Sequence, residues 1–246
     1  IVPNELGANK ARLLPHEYLI VKPLSAFSES LRSLRSALAL SNVDNPPKVL
    51  LFTSSLPGEG KTTTSICFAR AAAEAGLRVI LVDCDLRHPS VQKTFQISPA
   101  KQGLVELLAG RASLSDVLVS DLKTSLHHIP VAIGAANPPD VLGSKQMRTL
   151  LADLRNTYDL IVLDSAPVLP VADSRVLSGF ADKTVFVVRW STTPKDAAAG
   201  AVRDLISYGA EIAGIVMSAV DIEKQAKYGY GDGGYYYGRY SQYYVN

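Results

Sequence analysis

The stretch Ser54-Ser55-Leu56-Pro57-Gly58-Glu59-Gly60-Lys61-Thr62-Thr63 holds the residue types needed to grip a polyphosphate. Gly58 and Gly60 let the backbone wrap closely around phosphate oxygens with its N–H groups turned inward. Lys61 is spaced to reach the β- and γ-phosphates, and the Thr62 hydroxyl to reach Mg²⁺. A strand-like apolar run, Lys48–Thr53, comes before this segment and a helical pattern begins near Lys61, so the helix N-terminus adds its partial positive charge. The expected cofactor-binding residues are therefore Pro57, Gly58, Glu59, Gly60, Lys61, Thr62 and Thr63. One position departs from the usual phosphate-loop pattern, which opens on glycine: Ser55 stands there.

Three acids fit the same chemistry. Asp83 and Asp85 end the apolar run Val79–Val82, and Asp164 ends Leu160–Leu163 ahead of Ser165-Ala166-Pro167. In an extended strand, residues i and i+2 share a face, so Asp83 and Asp85 are expected to approach one point. Asp164 suits the Walker-B task of holding Mg²⁺ through its water shell. Thr62, Asp83, Asp85 and Asp164 are the expected metal-site residues, and Lys61, Asp83 and Asp85 the catalytic ones. Acids at the carboxyl ends of parallel strands lie where open α/β sheets bind ligands.

Positioning these groups requires a sheet. Strand-like runs at Lys48–Thr53, Val79–Val82, Leu160–Leu163, Lys183–Val188 and Ile212–Met217 alternate with helical stretches at Thr62–Ala75, Ser144–Asn156 and Pro194–Tyr208. That rhythm predicts a doubly wound α/β fold with a mainly parallel sheet. Ahead of it, Ser25–Leu40 reads as a helix with Phe27, Leu31, Leu34 and Leu38 in one apolar arc and Glu29, Arg32 and Arg35 in another. Residues 1–23, with Pro3, Pro15 and Pro23, read as a lead-in arm, and 24–221 as the folded domain. Residues 222–246 hold eight of the eleven tyrosines among glycines and no aliphatic stripe, and read as a flexible tail. The formal net charge of +2 argues against a nucleic-acid groove. Neither a membrane span nor a signal peptide is visible, and a start at Ile1 suggests a piece of a longer chain. Cys67 and Cys84 read as reduced core residues of a cytosolic domain.

The chain resembles the cytoplasmic domain of the bacterial tyrosine kinases that control exopolysaccharide and capsule export, within the MinD/ParA-like (SIMIBI) P-loop NTPases. The resemblance rests on the loop at 54–63, on Asp83-Cys84-Asp85 with Leu86-Arg87-His88-Pro89, and on Asp164-Ser165-Ala166-Pro167. Glu29, Arg32 and Arg35 match the family's E-x-x-R-x-x-R motif, and the tail its tyrosine cluster. It implies ATP and Mg²⁺, with Asp83 as base and Asp85 helping to hold the metal's waters. It also implies autophosphorylation at Tyr228, Tyr230, Tyr235, Tyr236, Tyr237, Tyr240, Tyr243 and Tyr244. Glu29, Arg32 and Arg35 would form the interface of a homo-oligomeric ring, an octamer by the same resemblance. A membrane activator, as a domain or a subunit, would hold the kinase at the inner face of the plasma membrane.

Two other functions share the site: a MinD/ParA-like ATPase that positions cargo, and a scaffold that binds ATP only to assemble. The ATPase branch carries a signature lysine before the loop's glycines, and no lysine lies between Thr53 and Gly60. Some relatives read adenine with an asparagine where Ser218 stands. Arg87 is expected to touch phosphate or acceptor, or to pair with one of the two acids before it. His16, His88, His127 and His128 read as surface or core histidines.

Overall fold

A computed structural model describes residues 13–221. In chain order the elements are α1 (Pro15–Val21), α2 (Ala26–Leu40), β1 (Val49–Ser54), α3 (Lys61–Glu74), β2 (Val79–Asp83) and α4 (Val91–Phe95). Next come α5 (Leu104–Leu108), α6 (Leu114–Val117), β3 (Val119–Ser120), β4 (His127–Ile129), α7 (Pro138–Leu142) and α8 (Lys145–Thr157). The last five are β5 (Leu160–Asp164), α9 (Asp173–Ser178), β6 (Lys183–Arg189), α10 (Lys195–Ser207) and β7 (Ile212–Ser218).

Among the described residues, seven strands form one sheet in the order β3-β4-β2-β5-β1-β6-β7. Every pairing is parallel except β3 with β4. Each residue of β1, β2 and β5 is buried, as expected for central strands covered on both faces. Their side chains alternate between two cores. Leu51, Ile80, Val82, Ile161 and Leu163 face the layer of α8 and α9, whereas Leu50, Phe52, Leu81 and Val162 face α3. The expected mainly parallel, doubly wound sheet is thus present, and each anticipated strand and helix ends within a residue or two of its reading.

Helix α3 is buried nearly all round, because the sheet lies under it and both α1 and α2 lie over it. In α2, Leu31 and Leu38 are buried and Phe27 and Leu34 pack against the same core, so the predicted apolar arc docks on the domain. Cys67 and Cys84 are free and fully buried, and burial pushes the Cys67 thiol up to about 12.

The part of the 1–23 lead-in arm that is described carries a helix that docks on the domain. Pro15 opens α1 at a position where its missing N–H is harmless, and Tyr18 and Leu19 are buried against the core under α2 and α3. Arg70 of α3 fixes the junction: its Nη1 donates to the His16 carbonyl at 2.6 Å, and its Nε and Nη2 form a buried two-pronged bridge to Asp121 at 3.0 and 2.7 Å. His16 and His128 are core residues that flank the Phe95 ring. Residues 1–12 and the tyrosine-bearing segment 222–246 lie outside the described residues.

Candidate active site

The loop between β1 and α3 needs its glycines. Gly58 and Gly60 have φ of 81° and 90°, the left-handed region where a side chain is strained. A Cβ on Gly60 would also come 3.2 Å from Ser218 Oγ. Ser55 is different. The non-glycine residues with positive φ among those described are Gln96, Ser191 and Ala219, so serine at 55 meets no such strain and the departure from glycine is conformationally free.

Braces hold the loop from behind. Leu56 N donates to Glu59 Oε2 at 2.9 Å, and Thr193 Oγ1 donates to Glu59 Oε1. Arg189 Nη1 donates to the Gly58 carbonyl at 3.0 Å, and Ser218 Oγ to the Glu59 carbonyl at 2.6 Å. The Glu59 side chain therefore supports the loop, and any contact it makes with phosphate is through its backbone. Ser218 thereby ties the end of β7 to the loop.

Lys61 Nζ donates to Asp85 Oδ2 at 2.9 Å, with both side chains nearly buried. Burial alone would depress the Lys61 pKa, but the charges of Asp164, Asp85 and Asp83 outweigh it and raise it. Thr62 Oγ1 lies 3.0 Å from Ser90 Oγ.

Asp83 and Asp164 are direct neighbours across β2 and β5. Burial, then the charge of Asp164, drives the Asp83 pKa well above the ordinary carboxylate value. Burial also raises that of Asp164, against the opposing pull of Lys61. Asp83 and Asp85 both bear on Lys61, though not as i and i+2 of one strand, because β2 ends at Asp83. Beyond it the chain turns, Asp85 N donates to Asp83 Oδ1 at 3.2 Å, and Val91 N donates to Asp83 Oδ2 at 3.3 Å. Asp83 thus closes the turn into α4, while Asp85 faces Lys61.

Among the described residues, no three His, Cys, Asp or Glu side chains converge to hold a metal by themselves. The donors still fit Mg²⁺, which takes one or two carboxylates and fills its shell with water and phosphate oxygens. Asp164 Oδ1 accepts from Ser65 Oγ at 3.1 Å. Its Oδ2 is buried and has no partner among the described residues, as expected of an oxygen that serves an ion's water shell.

A cleft of about 530 Å³ opens over the loop. Pro57, Gly58, Gly60, Lys61, Thr62 and Thr63 line it with Asp85, whereas Asp83 and Asp164 lie beneath. Arg87 also faces the cleft but pairs with neither anticipated acid: its Nε and Nη2 donate to the buried Asp173 at 2.9 and 3.2 Å. His88, Ala166 and Pro167 also line the cleft, and Ser90, Thr94, Pro170, Val171 and Arg189 complete the lining. Sequence reasoning missed these last five, and only Arg189, at the carboxyl end of β6, carried a positional signal. Glu29, Arg32 and Arg35 are not among the cleft residues and sit on α2, where Arg32 Nη1 donates to Glu29 Oε1 with both side chains part exposed.

The family model described as an AAA domain matches residues 26–208. The tyrosine-protein kinase YwqD of Bacillus subtilis is 31% identical over 220 residues, covering 89% of this chain and 92% of that protein. The succinoglycan biosynthesis transport protein ExoP of Rhizobium meliloti is 34% identical over 233 residues, which is 91% of this chain but 29% of ExoP. Among solved structures, the kinase domain of the Escherichia coli tyrosine kinase ETK superposes with a TM-score of 0.78 at 26% identity, covering 88% of this chain and 87% of that one. The septum site-determining protein MinD of Pyrococcus horikoshii, solved with Mg-ADP, reaches a TM-score of 0.58 at 21% identity over 69% of each chain and shares the fold alone. Across nearly its whole described length, from α2 to α10, the chain belongs to the tyrosine-protein kinases of bacteria.

Proposed function

We propose that this chain transfers the γ-phosphoryl group of ATP to tyrosine hydroxyls, its own tail tyrosines first, in a polysaccharide export system. The observation that carries this reading is the meeting of the Gly58–Thr63 loop with Asp85, and with Asp83 and Asp164 beneath, in one cleft of a chain so similar to a tyrosine-protein kinase. Mg²⁺, held through Thr62, Asp164 and Asp85, would supply counter-charge to the phosphates. Lys61 and the loop amides hold and neutralise the triphosphate, which is most of what phosphoryl transfer asks of a protein.

In the transfer, a new bond from phenolic oxygen to phosphorus replaces the bond to the β-phosphate oxygen. ADP leaves, and the phenolic proton passes to a carboxylate. The family resemblance assigns that proton to Asp83, while Asp85 is the acid on the cleft surface. Comparing the pH–rate profiles of Asp83→Asn and Asp85→Asn separates the two, because only loss of the base removes the acidic limb.

The acceptors are Tyr228, Tyr230, Tyr235, Tyr236, Tyr237, Tyr240, Tyr243 and Tyr244. The partner is a second copy in a ring, docked through Glu29, Arg32 and Arg35, with a membrane activator holding the assembly at the inner face of the plasma membrane. Each phosphate adds about −1.5 to −2 charges, so heavy modification repels neighbouring tails and opens the ring.

Intact mass after incubation with Mg²⁺ and ATP, beside Lys61→Met, tests the reading. A ladder of phosphate additions absent from the variant is expected. ATP consumed without any addition would replace the kinase reading with the MinD/ParA-like ATPase.

A further inference from the structure

Beyond the phosphate loop and the acids, the cleft has an apolar wall that neither nucleotide nor metal needs. It is formed by Pro167, Pro170 and Val171 in the segment joining β5 to α9. This segment is fixed by its backbone. Val168 N and Leu169 N donate to the carbonyls of Ser54 and Ser55 at 2.8 and 3.2 Å, and Arg175 Nη2 donates to the carbonyls of Val168 and Val171 at 3.2 and 3.4 Å. Pro167 is buried with only an edge on the cleft, whereas Pro170 is exposed, Val171 is half-buried, and Leu169 beside them is 40% exposed. The side chains of Leu169, Pro170 and Val171 do not hold the shelf in place, so the apolar surface they present is free to serve a ligand.

Two residues past Val171, the carboxylate of Asp173 holds Arg87, which tethers the guanidinium to the same wall. Both parts belong to the acids' side of the cleft, since Pro167 follows Asp164 by three residues and Arg87 follows Asp85 by two. The terminal phosphate lies on that side, because Lys61 and Thr62 grip the β- and γ-phosphates there. The nucleotide base must therefore leave in the other direction.

We infer that Pro167, Pro170 and Val171, with Arg87 tethered by Asp173, form the subsite for the acceptor's ring, so that this shelf selects tyrosine over serine or threonine. A phenol is amphipathic: its ring gains from apolar and proline faces and from a guanidinium, while its hydroxyl must reach the acids. An aliphatic hydroxyl carries no ring to fill the shelf. The inference rests on the tyrosine-kinase reading.

The test uses the full chain and a synthetic peptide of residues 235–244, with versions in which every tyrosine is replaced by phenylalanine or by serine. Binding is followed by fluorescence anisotropy and needs no catalysis. The tyrosine and phenylalanine peptides are expected to compete for one site and the serine peptide to fail. Pro170→Ser with Val171→Ser should weaken the tyrosine peptide about tenfold, the scale of one ring contact, while the affinity for a fluorescent ADP analogue shifts less than twofold. Asp173→Asn, which loosens Arg87, should weaken the peptide in the same direction by a smaller factor. Equal binding of the serine peptide, an unchanged peptide affinity in the double variant, or a loss of nucleotide rather than peptide affinity would overturn the subsite. A shelf that binds the peptide in a protein that transfers no phosphate would sink the kinase reading and leave the subsite standing.

Discussion

The two rims of the sheet carry similar numbers of acids and treat them in opposite ways. At the amino rim each acid is matched. Asp159, just before β5, accepts from Arg78 N, Nε and Nη2, and its pKa is held at about 2, chiefly by the Arg78 side chain. Asp182, just before β6, takes Lys48 N and Val49 N at 2.8 Å each and both Arg155 guanidinium nitrogens. Lys183 and Glu211 pair at the starts of β6 and β7. These contacts start the strands in register. At the carboxyl rim Asp83 and Asp164 are buried side by side with raised pKa values, and one oxygen has no partner among the described residues. One rim is matched throughout by the chain itself, whereas the other, although Lys61, Ser65 and backbone N–H groups meet most of its carboxylate oxygens, keeps one buried Asp164 oxygen unmet among the described residues.

Substitutions can break this division, and the largest effect is expected from Lys61→Met. It should lower phosphoryl transfer by about 10³-fold while the chain still unfolds in one transition, since Asp85 keeps its bond from His88 N. Loss of folding instead would mean that the carboxyl rim holds the sheet together. Next in size, Asp164→Asn removes a buried charge and keeps an acceptor for Ser65. Activity should fall about 100-fold while the melting temperature rises by about 2–4 °C. A melting temperature that falls would show Asp164 to be structural.

A pH scan isolates a third region from both rims. Burial lowers the pKa of His16 and His128 to about 4, whereas in the unfolded chain both would titrate near 6.5. Unfolding therefore takes up protons between those values. Stability is full above pH 6.5 and falls as pH drops toward 4, by up to about 1.4 kcal/mol per pH unit for each ring. His128→Gln should halve that slope in thermal melts, and an unchanged slope would remove His128 from the account. The smallest effect belongs to the amino rim. Asp182→Asn should cost about 1 kcal/mol near neutral pH with kinase activity intact. Arg155 and two backbone N–H groups outweigh burial and depress the Asp182 pKa, so this difference should vanish once pH falls through that depressed value.

The carboxyl rim was legible in the sequence because apolar runs ending in Asp83 and Asp164, and a glycine loop ending in Lys61, are local patterns. Their burial in β1, β2 and β5 follows from the same runs. Contacts across the chain left no such trace. Arg87 and Asp173 are 86 residues apart, and nothing local to either names the other. Ser90 contacts Thr62 because Asp83 closes a turn that runs on into α4, a geometry that carries no composition signal. Strands β3 and β4 span two and three residues, too few for a period to register. Helix α1 was obscured by Pro15, which reads as a breaker until it is seen to start the helix.

That helix changes where the domain can be cut. A shortened chain that begins at residue 24 would keep every residue of the cleft, yet it would strip Leu19 from the core it shares with Phe68 and Ala72. It would also remove the carbonyl that receives Arg70 Nη1, leaving a buried donor with no acceptor nine residues along the helix from Lys61. Helix α1 is thus tied through Arg70 to the helix that opens on the phosphate loop, so the cut would loosen the loop's own support from a distance.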